Sequence, residues 1–151
     1  MPVLTLDEVE ALARRAHAAQ TDKAGRPYAE HLVAVAEGVR ERGGSQEQIA
    51  AAWLHDAIED GVVSREWLAT APLTPHTKEL IDAMTKRPGE SLEEYAVRLL
   101  ATPGAVLIKE ADVAHNADPA RLARLDPATR ERLTAKYART RQLLGLPATE
   151  S

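Results

Sequence analysis

Cysteine and phenylalanine are both absent from the 151-residue sequence, and aromatic residues make up only 3% of it. Without cysteine the chain can form neither a disulfide nor a thiolate metal site, and it has no thiol nucleophile. Without phenylalanine, the hydrophobic core has to be built mainly from Leu, Val, Ile and Ala. A chain of this length is still long enough for one domain with a sizeable core.

Excess positive charge and long apolar runs are missing as well. The formal net charge is −4 and the sequence pI is near 5.7. This balance argues against duplex nucleic acid as a partner, because a phosphate backbone requires a basic face. No apolar run is long enough to span a bilayer, and the N-terminus lacks the pattern of a secretory signal. We therefore expect a cytoplasmic protein with no membrane partner.

Helix-start and helix-stop signals recur along the whole chain. They include capping boxes, prolines in the first helical position and glycine stops. About seven helices are predicted, with starts at or near Thr5, Tyr28, Ser45, Thr74, Ser91, Ala105 and Asp126. Ser64 is expected to cap only a short turn, and the segment 118–126 is the least regular stretch of the interior.

The fold class follows from what accompanies these signals. No segment alternates apolar and polar residues with a period of two, and alanine, the best helix former, is frequent throughout. We predict an all-α fold in which about seven helices form a single bundle over residues 1–146. Residues 147–151 are expected to be a flexible tail.

The sequence AAWLHDAIED, residues 51–60, places an imidazole and three carboxylates directly after an apolar run. A buried, unpaired carboxylate costs several kcal/mol, so either a cation or exposure at a helix end has to compensate. The His55-Asp56 dipeptide alone favours a polar helix end capped by Gly61. The apolar residues before it instead indicate a surrounded helix that runs to Gly61, with His55 and Glu59 on one ridge and Asp56 and Asp60 on the next.

Two other predicted helices carry polar residues of the same kind. Lys109, Asp112 and Asn116 are spaced three and four apart, so they share one face of the helix over 105–118. His31 lies in the second helix, where a histidine is more often part of the core than a ligand. Taken together, His31, His55, Asp56 and Asp112 form a mixed nitrogen and oxygen set suited to Mn²⁺, Fe²⁺ or Zn²⁺.

Three blocks of the chain resemble the HD-domain metal-dependent phosphohydrolases, and within them the hydrolase half of RelA/SpoT proteins and the small alarmone hydrolases. The blocks are HAAQTDKAGRPYAEHLVAVA (17–36), AAWLHDAIEDG (51–61) and IKEADVAHNAD (108–118). The resemblance implies an HD-type hydrolase domain, Mn²⁺ as the cofactor, and guanosine tetra- or pentaphosphate as a substrate that loses its 3′-pyrophosphate.

The resemblance also implies roles for individual residues. His31, His55, Asp56 and Asp112 correspond to the metal ligands. Glu59 and Asp60 correspond to a pair that orients or activates the attacking water and protonates the leaving oxygen. The expected substrate contacts are Lys23, Lys109 and Asn116.

Two positions depart from the family pattern. Asp22 and Asp118 stand where arginines are usual, so two cations expected near the base or the phosphates are replaced by acids. Two further functions therefore stay open: an HD-domain phosphatase for another nucleotide, and a nucleotide sensor without turnover. A homodimer also stays open. His17 is expected to pack behind the site rather than bind a metal, His76 is expected to be solvated, and His115 has no assigned role.

Overall fold

Helix caps set the boundaries of the secondary structure in the computed structural model, which describes residues 2–148. Thr5, Ser45 and Ser91 each close a capping box, as their sequence patterns predict. The helices of this range are α1 (Leu6–Ala16), α2 (Ala29–Glu41), α3 (Gln46–Leu54), α4 (Arg65–Thr70), α5 (Pro75–Met84), α6 (Leu92–Ala101), α7 (Ala105–Asn116), α8 (Pro119–Leu122) and α9 (Pro127–Leu144).

The all-α prediction is confirmed. Between residues 2 and 148 the only β feature is an isolated bridge between Thr21 and Pro27. The structure adds two short helices, α4 and α8, to the seven that were predicted. Each begins at a residue whose side chain accepts a hydrogen bond from a backbone N–H of the first turn, Ser64 in α4 and Asp118 in α8.

The prediction that the third helix continues to Gly61 is wrong. Helix α3 ends at Leu54, and residues 55–61 form turns. The His55 imidazole donates from Nδ1 to the Ala52 carbonyl at 2.6 Å, and a continuing helix would need that carbonyl for the amide of Asp56. His55 and Glu59 therefore do not share a helical ridge, and neither do Asp56 and Asp60.

Helix α3 lies at the centre of the bundle, in contact with α1, α2, α5 and α7. Its residues 49–54 are all buried, and three of these six are alanines. Small side chains allow close approach of the neighbouring helices, so the end of α3 meets the first turn of α2 and the middle of α7 inside the protein. These are the three places that carry the predicted metal ligands.

No helix within residues 2–148 combines the length and apolar character needed to cross a membrane. The predicted tail, 147–151, falls largely outside the described residues, since the structure does not describe 149–151. The boundary at residue 146 stays a prediction.

Candidate metal centre

Four side chains from three parts of the fold meet at the end of α3. His31 comes from α2, His55 and Asp56 directly follow α3, and Asp112 comes from α7. Each offers one nitrogen or carboxylate oxygen, and these atoms all lie within 4.8 Å of one another. His31, His55 and Asp112 are buried, whereas Asp56 is partly exposed. The structure thus brings together the whole ligand set expected from the sequence.

The hydrogen bonds of the two imidazoles favour a cation between these atoms. His55 uses Nδ1 on the Ala52 carbonyl, so its Nε2 faces an Asp56 oxygen at 3.0 Å. The Nε2 of His31 is 3.0 Å from Asp112 Oδ1. An imidazole nitrogen without a proton and a carboxylate oxygen are both acceptors, and they can face each other only across a proton or a cation. This donor set fits a divalent metal ion.

Electrostatics support the same conclusion. Burial lowers the pKa of His55, but the Asp56 and Asp112 carboxylates outweigh it and raise that pKa well above its usual value. Burial opposes ionisation of Asp56 as well, yet His55 lowers the pKa of Asp56 to about 2. Burial opposes ionisation of Asp112 too, but the Lys109 charge and the hydrogen bonds from His31 and His55 hold the pKa of Asp112 well below its usual range. The centre therefore keeps both carboxylates ionised and attracts positive charge.

Two further side chains hold the carboxylates in place. Lys109, one of the expected substrate contacts, donates from Nζ to Asp112 Oδ2 at 3.0 Å and lies 5.2 Å from the centroid of the Tyr95 ring. The Tyr28 hydroxyl donates to Asp56 Oδ2. Lys109 thus binds Asp112 Oδ2 while the imidazoles face Asp112 Oδ1, and Tyr28 binds the same Asp56 oxygen that faces His55. Both contacts fix the orientation of a carboxylate, which is how protein metal sites position their ligands.

A cavity of about 370 Å³ opens above these atoms. Glu59 and Asp60, the expected catalytic pair, line it from the turn after α3. Glu59 accepts the backbone N–H of Lys86 at 2.7 Å, and Asp60 accepts from Gln20 Nε2 at 3.0 Å. Partial desolvation by the cavity walls, reinforced by the Asp56 charge, raises the pKa of both Glu59 and Asp60.

The expected substrate contacts differ in whether their side chains already bind other protein groups. Lys23 lines the cavity from the loop before α2, is exposed, and forms no ion pair within residues 2–148. Asn116 also lines the cavity but is already bonded, since its Nδ2 donates to Asp112 Oδ1 at 3.2 Å. Lys86 and Lys136 reach the same cavity, and neither is among the three expected substrate contacts. Their positions depend on tertiary packing, which no local sequence pattern shows.

Asp22 is neutralised by a residue that the sequence analysis missed. Arg121, from α8, donates from Nη1 to Asp22 Oδ2 at 2.9 Å, and the Asp22 side chain is only 5% exposed. The other Asp22 oxygen accepts the backbone N–H groups of Ala24 and Arg26. Arg121 lines the cavity as well. The acid at position 22 therefore orders the loop and anchors an arginine in the pocket, instead of presenting a free negative charge.

Asp118 does not line this cavity. It caps α8 by accepting from Ala120 N at 3.3 Å and is exposed. Of the two acids that replace the usual arginines, only Asp22 therefore lines the cavity, and Arg121 neutralises it.

The histidines outside the candidate metal centre differ in their surroundings. His115 lies behind the centre, with its Nδ1 2.8 Å from the Nδ1 of His31, and burial lowers the pKa of His115 to about 4. His17 is buried and stacks on the Tyr28 ring at a centroid distance of 5.1 Å, as expected for a residue that packs behind the site. His76 is partly exposed, and its Nε2 lies 3.0 Å from the Pro103 carbonyl oxygen.

Sequence comparison identifies the family to which this chain belongs. The chain matches the model of the HD domain over residues 10–142, and it therefore belongs to the HD-domain family. Members of this family bind divalent metals, and the His/Asp cluster described above could hold such an ion in this chain.

Several relatives carry names that refer to a guanosine nucleotide. The chain is 32% identical over 111 residues to a probable guanosine-3′,5′-bis(diphosphate) 3′-pyrophosphohydrolase of Synechocystis sp., an alignment that covers 66% of the chain and 14% of the relative. It is 42% identical over 89 residues to the guanosine-3′,5′-bis(diphosphate) 3′-pyrophosphohydrolase of Vibrio cholerae, covering 55% and 12%. For the protein of the same name in Haemophilus influenzae, the values are 34% over 116 residues, 70% and 17%. The chain thus spans less than one fifth of each of these relatives.

Proposed function

We propose that this protein is a metal-dependent phosphohydrolase that removes the 3′-pyrophosphate from guanosine 3′,5′-bis(diphosphate). The observation that carries the proposal is the convergence of two imidazole nitrogens and two carboxylate oxygens within 4.8 Å of one another at a cavity lined by lysines. The names of the Synechocystis, Vibrio and Haemophilus relatives support the choice of substrate.

In this proposal His31, His55, Asp56 and Asp112 hold one divalent ion, with Mn²⁺ as the first candidate and Fe²⁺ or Zn²⁺ as alternatives. When bound, such an ion acts as a Lewis acid on a phosphate oxygen and lowers the pKa of a coordinated water. The chain's own contribution is to fix the ligand atoms through Tyr28, Lys109 and the Ala52 carbonyl.

Glu59 and Asp60 are proposed as the groups that handle protons. Both line the cavity and both have a raised pKa, which brings a carboxyl group closer to the pH at which it can exchange a proton. One orients and deprotonates the attacking water, and the other protonates the leaving oxygen of the 3′-pyrophosphate. A carboxyl pair with these roles also argues against a sensor that only binds the nucleotide.

Lysines are proposed to bind the phosphates. Lys109 stays cationic because Asp112 and the other nearby acids outweigh burial and raise its pKa, so it serves phosphate oxygens next to the ion. Lys23 and Asn116 are proposed to contact the nucleoside, with the guanidinium of Arg121 beside Asn116 at 3.5 Å. A nucleotide of this kind is available in the cytoplasm, where we expect the protein to act. A homodimer stays a prediction.

The test of this function is a panel of nucleotides incubated with the purified protein and Mn²⁺, with phosphate and pyrophosphate release measured separately. We expect pyrophosphate from guanosine 3′,5′-bis(diphosphate) and no comparable release from guanosine diphosphate. Release of phosphate from a nucleoside monophosphate instead would identify an HD-domain phosphatase with another substrate. Tight binding of the nucleotide without any turnover would identify a sensor.

Matched variants separate ligands from proton-transfer groups. His55→Ala and Asp56→Ala should lose bound metal and turnover together. Glu59→Gln and Asp60→Asn should keep the metal and lose turnover by roughly a hundredfold or more. Full retention of metal in both alanine variants would contradict the proposed ligand set, and a parent rate in either amide variant would remove that residue from the mechanism.

A further inference from the structure

A chain of hydrogen bonds runs from a buried histidine to one member of the proposed catalytic pair. His17 Nδ1 lies 2.7 Å from the Oε1 of Gln20, and Gln20 Nε2 donates to Asp60 Oδ2 at 3.0 Å. His17 and Gln20 belong to the end of α1 and the loop after it, whereas Asp60 follows α3. This contact connects two segments that are 40 residues apart in sequence.

The backbone around Gln20 is already fixed. Its N–H donates to the His17 carbonyl at 2.9 Å, and its own carbonyl accepts the N–H of Tyr28 at 3.0 Å. The His17 ring is 1% exposed and stacks against the Tyr28 ring, which in turn donates to the metal ligand Asp56. The start of the hydrogen-bond chain is therefore part of the same packed unit as the metal centre.

The chemistry of the two ends selects one orientation of the Gln20 amide. Gln20 must present N–H to Asp60, because a carbonyl oxygen 3.0 Å from a carboxylate would place two acceptors together. The Gln20 oxygen then faces His17, and it requires a proton on Nδ1. His17 Nε2 is buried and has no hydrogen-bond partner within residues 2–148, so it is best left without a proton, since a buried unpaired N–H is costly. Both requirements select the Nδ1–H tautomer of His17.

The orientation of the Gln20 amide determines which Asp60 oxygen is held by the protein. Gln20 occupies Oδ2, and Oδ1 makes no hydrogen bond within residues 2–148. One oxygen is thus held by the protein while the other is available to a reacting group in the cavity that Asp60 lines. Asp60 lies in a turn rather than in a helix, so its carboxylate depends on such a tether for a defined position.

We propose that His17 and Gln20 are positioning residues for Asp60: the His17 imidazole fixes the orientation of the Gln20 amide, and that amide holds the Asp60 carboxylate for proton transfer. This inference rests on the proposed function of Asp60. In this role both residues act through Asp60, although Gln20 also lines the cavity. Their effect is on the rate of the chemical step and leaves metal binding unchanged.

The kinetic test uses guanosine 3′,5′-bis(diphosphate) at saturating Mn²⁺, with metal content and thermal unfolding measured for each variant. Gln20→Met removes the tether with similar bulk, and it should lower kcat by roughly tenfold to a hundredfold with little change in KM or bound metal. His17→Phe should also lower kcat. His17→Asn, which keeps an N–H donor near the position of Nδ1, should restore most of the rate.

The double variant shows whether His17 acts through Gln20. His17→Phe should cause no further loss of kcat in the Gln20→Met background, because the interaction it supports is already gone. Additive losses would show that His17 contributes only by packing and would overturn its part of the proposal. Gln20→Met with the parent kcat, in a protein whose Asp60→Asn variant is inactive, would overturn the tether while leaving the proposed function intact. If Asp60→Asn keeps the parent rate, the role of Asp60 fails, and the positioning proposal fails with it.

A spectroscopic readout is independent of turnover. The ¹⁵N chemical shifts of the His17 ring report which nitrogen carries the proton. We expect the Nδ1–H tautomer in the parent protein, and the Nε2–H tautomer would contradict the proposed hydrogen-bond chain.

Discussion

Removal of the His115 imidazole should weaken metal binding although His115 is not itself a ligand. In the proposed ligand set His31 uses its Nε2 lone pair for the ion, so its Nδ1 carries the proton and needs an acceptor. That acceptor is His115 Nδ1, 2.8 Å away, and His115 is neutral at pH 7 because burial lowers its pKa to about 4. No other protein hydrogen-bond partner of His31 Nδ1 is found within residues 2–148.

The size of the effect follows from the role of such partners in other metal sites. Loss of a hydrogen-bond acceptor behind a ligand histidine typically costs tenfold to a hundredfold in metal affinity, which corresponds to about 1.4–2.7 kcal/mol. We expect this loss in His115→Leu, and a smaller loss in His115→Gln, whose amide oxygen still accepts a hydrogen bond.

The measurement is isothermal titration of Mn²⁺ into metal-free protein, with His76→Leu as the matched control. His76 lies away from the centre and bonds to Pro103, so its removal should leave Mn²⁺ affinity unchanged. His115→Leu with the parent affinity and an unchanged fold would refute the argument. It would show that the His31 tautomer does not depend on His115.

Three further predictions concern the pocket and the fold. Asp22→Asn keeps the oxygen that accepts both loop amides but removes the charge that pairs with Arg121. The KM for a polyanionic nucleotide should therefore fall by roughly threefold at low salt, while kcat should not change. An unchanged KM in steady-state assays would contradict this prediction. Glu90→Gln should lower the free energy of unfolding at pH 7 by about 1–3 kcal/mol, because it breaks a two-pronged pair with Arg98 at 2.6 and 2.9 Å. That pair lowers the pKa of Glu90 to about 2. Its contribution to stability is therefore fully present above the usual pKa of 4.5 and is lost as the pH falls toward 2. In urea titrations, the difference in unfolding free energy between Glu90→Gln and the parent should be smaller at pH 3 than at pH 7. Gly104→Ala should destabilise the protein by about 1 kcal/mol, since Gly104 has a φ of 91°, and an unchanged urea midpoint would show that the strain is relieved.

The sequence predicts the helices well because their boundaries depend on local chemistry. Capping boxes at Thr5, Ser45 and Ser91 act within one helical turn, and the structure contains all three. The end of α3 was missed for a different reason. A histidine at position 55 is compatible with a continuing helix, and only the fold shows that its ring takes the Ala52 carbonyl. Propensity could not have shown that contact.

The four candidate metal ligands could be chosen from the sequence because each is a polar residue in an otherwise apolar segment, and the structure brings all four together. Which of them hold an ion stays a prediction. The side-chain pairs that line the pocket could not be predicted from the sequence. Arg121 pairs with Asp22 across 99 residues, and Gln20 reaches Asp60 across 40. Pairs of this kind depend on how the helices pack, and the periodicity of the sequence does not indicate them.

The proposed function is tested by ³¹P NMR of guanosine 3′,5′-bis(diphosphate) incubated with the metal-free protein, the Mn²⁺-loaded protein and the Mn²⁺-treated Asp56→Ala variant. We expect inorganic pyrophosphate and guanosine 5′-diphosphate to form only with the Mn²⁺-loaded parent. Equal turnover by the metal-free protein or by Asp56→Ala would contradict a reaction that depends on this metal centre. The intact nucleotide in all three samples would contradict the proposed activity.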